Sequence, residues 1–166
     1  LECDFSINSC VIPNPEFIAA ILHLEDNQSL YQNELLLAKK GNGQNKIIYL
    51  GKKLIIIDER WDLFMMNNEV LELDFHYLTS QRKSMELSDS NLLIGPSENL
   101  FIEEGATIEG CTLNTSTGVI YIGKHAEIME GSMIRGGLAL CESATIKMGS
   151  KIYGATTIGP FCKVGG

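Results

Sequence analysis

Basic residues are scarce: 13 Lys and Arg face 21 Asp and Glu, for a formal net charge of −8. That deficit argues against nucleic acid or an anionic membrane as the main partner, since both need a basic face. No run of 18 apolar residues and no charged-then-apolar leader is present, so nothing points to membrane spanning or export, and a cytoplasmic location is expected. The five cysteines (Cys3, Cys10, Cys111, Cys141, Cys162) include no C-x-x-C pair, which favours reduced thiols over disulfides. Glycine is nearly missing from the first part: 13 of the 16 glycines lie from Gly95 onward.

What the second part has instead is a period. Val164, Ile158, Ile152, Ile146, Leu140, Ile134, Ile128 and Ile122 recur every six residues. A helix repeats near 3.6 and a strand at 2, whereas a six-residue repeat with small residues between marks a β-helix. Four residues after each aliphatic comes Ala126, Ser132, Leu138, Ala144, Ser150, Thr156 or Cys162, small except at Leu138. One large and one small inward residue per hexapeptide fits a flat face of a triangular coil. The pattern therefore predicts a left-handed parallel β-helix over 94–166, of about four coils stacked at ~4.8 Å. Ile122 should lie under Leu140 and Ile158, and Ile128 under Ile146 and Val164. The repeat begins near Ile94, continues at Ile102 and Ile108, and slips by two residues before Ile122, which places a looped-out corner within Asn114 to Tyr121. The chain starts without Met and stops inside a hexapeptide, so a piece of a longer enzyme is expected.

Residues 1–60 read as part of an α/β domain. Phe5 to Ile12 is strand-like. Asn14 followed by Pro15 is a helix cap with proline at the first helical position, and Phe17, Ile18, Ile21 and Leu22 give that helix an apolar face. Leu35 to Leu37 suggests a short strand. Lys46 to Leu50 and Leu54 to Ile57 suggest a hairpin through Gly51-Lys52-Lys53. Residues 61–93 form a connector: Trp61-Asp62-Leu63-Phe64, a helix over Asn68 to Thr79 with Leu71, Phe75 and Leu78 at helical spacing, and a polar surface loop from Gln81 to Ser90.

Candidate chemistry follows from the coil geometry. Arg135 and Tyr153 each follow a core position and lie one coil apart, so they stack on one face. Lys151 precedes Ile152 at the adjoining corner, and Lys147 follows Ile146 on the preceding face. Cations on a phosphate and a phenol on a hydroxyl would suit a sugar phosphate; solubilising surface charge is the plainer alternative. A zinc site needs converging imidazoles; His23 and His76 lie in the other segment and only His125 in the prism, so no metal site is expected. Lys39-Lys40-Gly41-Asn42-Gly43 does not open a helix and reads as a turn rather than a phosphate loop. Asn8-Ser9-Cys10 likewise reads as a structural turn. Flat faces and an unfinished last coil point to self-association, most simply as a homotrimer.

The run Tyr121 to Gly166, together with Trp61-Asp62-Leu63-Phe64-x-x-Asn67 and the Leu113-Asn114-Thr115 junction, resembles the bacterial bifunctional enzymes that join a sugar-phosphate nucleotidyltransferase to a left-handed β-helix acetyltransferase. The Bacteroidetes-type UDP-N-acetylglucosamine diphosphorylase/glucosamine-1-phosphate acetyltransferases, often labelled glucose-1-phosphate thymidylyltransferases, are the nearest pattern. The resemblance implies a parent enzyme acting on a sugar phosphate and a UDP- or dTDP-sugar. It also implies Mg²⁺ to neutralise phosphates, acetyl-CoA as acyl donor and a histidine base. The family's N-terminal glycine-rich loop and its later Gly-His motif have no counterpart here. No catalytic residue is therefore assigned, no cofactor is expected on this chain, and the chain alone should be inactive. A non-catalytic assembly module and a stand-alone acyltransferase for an unrelated substrate stay open as alternatives.

Overall fold

The computed structural model describes residues 4–165. They divide into two compact units that meet between Asp62 and Leu63.

In the first unit, Phe5–Ile7 (β1) and Val11–Ile12 (β2) are separate short strands, because Asn8 turns the chain between them. Its Oδ1 accepts from the Cys10 amide at 3.0 Å and its Nδ2 donates to the Leu36 carbonyl at 2.9 Å. Helix α1 (Pro15–Leu22) starts as its cap requires, the Phe17 amide donating to Asn14 Oδ1 at 2.8 Å. Phe17 and Ile21 are buried, but Ile18 and Leu22 are exposed, so the apolar stripe is narrower than expected. Gln28–Gln32 (β3), Leu35–Lys40 (β4) and Asn45–Ile48 (β5) follow, in a sheet ordered β1-β4-β3-β5. The expected hairpin over 46–57 is not there: β5 pairs in parallel with β3, and Ile55–Ile56 (β6) pairs antiparallel with β2. Strand β3, polar at both ends, was not anticipated; Leu30 at its centre is buried.

Helix α2 (Asp62–Met65) spans the boundary, and α3 (Asn67–Thr79) follows in the second unit. Leu71 and Phe75 are buried, while Leu78 is half-exposed. The prism then rises in four coils. Leu92–Ile94 (β7), Leu100–Ile102 (β8) and Thr107–Ile108 (β9) form the first. Thr112–Asn114 (β10), Ile120–Ile122 (β11) and Glu127–Ile128 (β12) form the second. Met133–Arg135 (β13), Leu138–Leu140 (β14) and Thr145–Ile146 (β15) form the third. Lys151–Tyr153 (β16), Thr156–Ile158 (β17) and Lys163–Val164 (β18) form the last. Corresponding strands pair in parallel into three sheets of four, giving a left-handed parallel β-helix.

The register is the expected one. Ile122, Leu140 and Ile158 stack, as do Ile128, Ile146 and Val164. The core is a column of aliphatics, with Ile122, Leu138, Leu140 and Ile146 all at 0 % exposure. Two details differ. The first coil's inward residue on its first face is Leu93, in register with Leu113, Ile134 and Ile152; Ile94 points out and is exposed. The phase slip has two parts, a longer corner before the second face in the lower two coils and a tighter one between Ile108 and Leu113. The lower corners hold a 3₁₀ turn (Ser97–Asn99) and the Thr115–Val119 loop. Thr115, 1 % exposed, stitches them by donating to the Pro96 carbonyl at 2.8 Å.

Of the small inward positions Ala126, Ser132 and Ala144 are buried, and Cys111 fills the equivalent place two coils below Ser150; Ser150 and Thr156 are half-buried and Cys162, in the last coil, is exposed. Cys10, Cys111, Cys141 and Cys162 are free thiols; Cys3 lies outside the described residues. The Gln81 to Ser90 segment is more than a surface loop. The Met85 amide donates to the Ile102 carbonyl at 2.8 Å, the Ile102 amide donates to Ser84 Oγ at 2.9 Å, and Leu87 packs against the core. It thus satisfies backbone groups of the first coil that no lower coil exists to pair.

Candidate ligand-binding face

The prism's first face, formed by β7, β10, β13 and β16, carries the candidates. Residues alternate in and out along each strand, so on the outside Leu92, Thr112, Met133 and Lys151 form one column, and Ile94, Asn114, Arg135 and Tyr153 a second. Arg135 and Tyr153 are direct register partners, ~4.8 Å apart at the backbone. Lys151 lies in β16 itself rather than at a corner, on the same side as Tyr153 and two residues from it. All three side chains are exposed, Tyr153 at 81 %. Lys147 sits on the turn after β15, exposed, its backbone carbonyl accepting from Ser150 Oγ (2.6 Å) and Ser132 Oγ (3.2 Å). Those bonds fix the turn, so the ammonium projects from a rigid base. Among the described residues none of the three cations forms an ion pair. The face thus offers a guanidinium, ammonium groups and a phenol to solvent, flanked by exposed Leu92, Ile94 and Met133.

Other sequence candidates resolve as structure. The turn at Gly41 and Gly43 (φ 60° and 65°) joins β4 to β5, with Asn27 Oδ1 accepting from the Asn42 amide at 3.3 Å. His23 Nδ1 lies 2.7 Å from the Ala19 carbonyl, so that nitrogen carries the proton. His76 is exposed on α3, and the His125 ring overlies Gly105 at a corner. Among the described residues no three His, Cys, Asp or Glu side chains gather to hold a metal ion.

Two features escaped sequence reasoning. Arg82 donates to both Glu103 oxygens at 2.6 and 2.8 Å, and the Tyr121 hydroxyl donates to Glu103 Oε1 at 2.7 Å. Phe101 stacks on Tyr121, with the Arg82 guanidinium over its ring. Burial raises the Glu103 carboxyl pKa, but the bonds from Tyr121 and Arg82 outweigh it and hold the group below its ordinary value. Tyr121 is pushed up to about 12, by burial first and then by the Glu103 carboxylate. This cluster clasps the end of α3 to the prism's second face. The second missed feature is in the first unit, where a cavity of about 350 Å³ is lined by Glu16, His23 and Tyr49 among others. Burial raises the Tyr49 phenol, whose hydroxyl has no partner among the described residues.

Residues 2–83 match the family model for sugar nucleotidyl transferase. No curated protein and no solved structure matches the chain. The match covers just under half of the 166 residues, taking in the first unit and α3 and ending before the prism. It supports a sugar nucleotidyltransferase family and a transferase role in nucleotide-sugar synthesis. No helix among the described residues is long and apolar enough to cross a membrane.

Proposed function

We propose that this chain belongs to a cytoplasmic enzyme that makes nucleotide sugars, and that the prism's first face binds the sugar phosphate. The observation that carries the reading is the sugar nucleotidyl transferase match over 2–83 on a chain that continues into a left-handed β-helix. In this reading Arg135 and Lys151 hold the phosphate, Arg135 through two parallel N–H bonds and Lys151 as a point charge. Lys147 adds attraction from the neighbouring turn, and Tyr153 hydrogen-bonds a ring hydroxyl. The parent also acetylates an amino sugar, using acetyl-CoA, and its nucleotidyl transfer uses Mg²⁺ carried in on the nucleotide phosphates. None of these residues is assigned a reacting role, and the chain by itself binds without turnover. The UDP- or dTDP-sugar is the product side of the same chemistry.

The prism assembles as a homotrimer. The apolar outer residues of the first face, Leu92, Ile94 and Met133, support self-association and equally favour a second reading, a non-catalytic assembly module.

Titration of the chain with glucosamine-1-phosphate, monitored by NMR, separates the two. Binding should weaken about tenfold in Arg135→Ala and in Lys151→Ala, as loss of a charge-assisted bond predicts, with the melting temperature unchanged. Affinity unchanged from the native chain in both variants, or no binding at all, rejects the first face as the phosphate site. Light scattering over a dilution series tests the trimer; a monomer at high micromolar concentration rejects it.

A further inference from the structure

Helix α3 runs along the outside of the prism's second face and touches it unevenly. Asn67, Val70, Leu71, Asp74, Phe75 and Leu78 recur at three- and four-residue steps, so they form one stripe. Phe75 fills its contact completely, packing with Phe101, Val119 and Tyr121. Higher on the prism the outward column falls from Phe101 and Tyr121 to Ala139 and Thr157, and α3 meets the face again at β17, where Asn67 contacts Thr157. Between the Phe75 contact and the Asn67 contact the small Ala139 leaves a groove of about 320 Å³ between α3 and the second face, at the small end of the range for small-molecule sites.

Its walls are Val70, Leu71, Phe75, Leu78, Ala139 and Cys141. At one end Thr157 Oγ1 donates to Asn67 Oδ1 at 3.0 Å, so those groups satisfy one another. Tyr121 also lines the groove, but its hydroxyl is committed to Glu103. One polar group is left over. Asp74 occupies the stripe where an aliphatic would close the seam, and among the described residues it makes no side-chain hydrogen bond and no ion pair. Asp74 is exposed at the groove's edge, and the partial desolvation there raises its carboxyl pKa above the ordinary value. The Cys141 thiol is likewise raised by burial, so it adds no competing charge.

We propose that this groove binds a small molecule carrying a primary ammonium on a compact apolar body, the ammonium pairing with Asp74 and the body filling the space over Ala139. The argument is charge complementarity: an exposed carboxylate with no cation among the described residues, at the edge of a mostly apolar slot of ligand size whose other polar groups satisfy one another. The site stands apart from the first face and does not depend on the sugar-phosphate reading.

The test uses the whole chain and two probes of equal shape, cyclohexylammonium and neutral cyclohexanol, titrated at pH 7 while the methyl resonances of Val70, Leu71, Leu78 and Ala139 are followed. Cyclohexylammonium should shift those methyls saturably and bind about tenfold tighter than cyclohexanol, the scale of one charge-assisted contact. Asp74→Asn should erase the difference between the probes, and Ala139→Leu, which fills the groove, should block both. Equal affinity of the two probes for the native chain overturns the proposal. Unchanged cyclohexylammonium affinity in Asp74→Asn, or no saturable shift at these methyls, overturns it as well.

Discussion

Ile146 is the best place to test whether the six-residue register sets the prism's stability. It is fully buried, between Ile128 below and Val164 above. Ile146→Ala removes three carbon atoms, worth ~0.8 kcal/mol each in transfer energy. A residual cavity adds to this, because parallel strands above and below cannot collapse into the gap, and core aliphatic truncations cost ~2–5 kcal/mol in total. The expected loss is therefore about 3–4 kcal/mol, a large share of the ~5–15 kcal/mol that a domain has.

Two amides report on this site directly: Met129 donates to the Ile146 carbonyl and Lys147 to the Val164 carbonyl, both at 2.9 Å. Native-state hydrogen exchange at these positions should show opening free energies reduced by the same 3–4 kcal/mol estimate, about that range on the truncation scale. Exchange suits this chain better than a single melting curve, because two compact units need not unfold together. Lys147→Ala, one residue along and facing solvent, should change exchange by less than ~0.5 kcal/mol. Ile146→Asp should abolish folding of the prism, since it buries a carboxylate with no partner. A loss below ~1 kcal/mol in Ile146→Ala, or equal losses at 146 and 147, would refute the stacked register.

The Arg82–Glu103–Tyr121 cluster predicts a pH dependence. Glu103 titrates below its ordinary value when folded, so its contribution is present above the unfolded carboxylate pKa and lost as pH falls through the folded one; Glu103→Gln should flatten the acid limb of a urea-stability profile. Tyr121, raised to about 12, contributes fully below pH ~10 and loses that contribution as pH rises towards the folded value. Tyr121→Phe should remove this alkaline dependence and cost ~1–2 kcal/mol at pH 7; an unchanged pH profile in both variants would reject the coupling. Corner strain supplies a further check. His125, Ser143 and Phe161 stack at one corner with φ of 55°, 56° and 60°, where Gly105 stands in the lowest coil. Ser143→Gly should gain a few tenths to ~1 kcal/mol in thermal unfolding. Gly149→Ala at φ 69°, with open space around its would-be Cβ, should lose ~1 kcal/mol from backbone strain alone. Opposite signs would show that the corners are not left-handed in solution.

The sequence made the upper coils legible because a strict six-residue step leaves one way to stack them, and with the stack come the outward columns. Arg135 and Tyr153 could be placed side by side for that reason alone. The lower two coils resisted the same logic. Their extended corners hold the Ser97–Asn99 turn and Thr115–Val119, whose placement depends on bonds such as Thr115 to Pro96 that no periodicity encodes. That is also why Ile94 was read as core when Leu93 is the inward residue. In the first unit the short apolar runs at 46–50 and 54–57 carry a strand signal but no information about partners. Proximity in sequence favoured a hairpin, whereas parallel pairing with β3 and antiparallel pairing with β2 put each run against a buried neighbour, Leu30 or Val11.

The clasp and the groove beside α3 show a subtler limit. Each depends on what the second face presents outward, and that column was available from the repeat: Phe101, Tyr121, Ala139, Thr157. Read upward, it runs from large aromatic to small residues, so a helix laid against it rests on rings at one end, on Thr157 at the other, and leaves space over Ala139 between. The helix stripe supplied the complementary clue, an aspartate among aliphatics. Neither pattern means anything until α3 is known to lie on that face rather than on one of the other two, and nothing in the helix sequence selects among three similar flat surfaces. What selects it is the aromatic pair Phe101 and Tyr121, which offers Phe75 a ring-lined seat, together with Glu103, which offers Arg82 a carboxylate. If that selection is real, Phe101→Ala should loosen α3 as a whole. Exchange at the Val70 amide, hydrogen-bonded to the Met66 carbonyl at 3.0 Å, should then accelerate by orders of magnitude while the prism core amides hold, because burying a phenylalanine is worth ~3–5 kcal/mol. Unaltered exchange at Val70 would mean that the aromatic seat does not hold the helix.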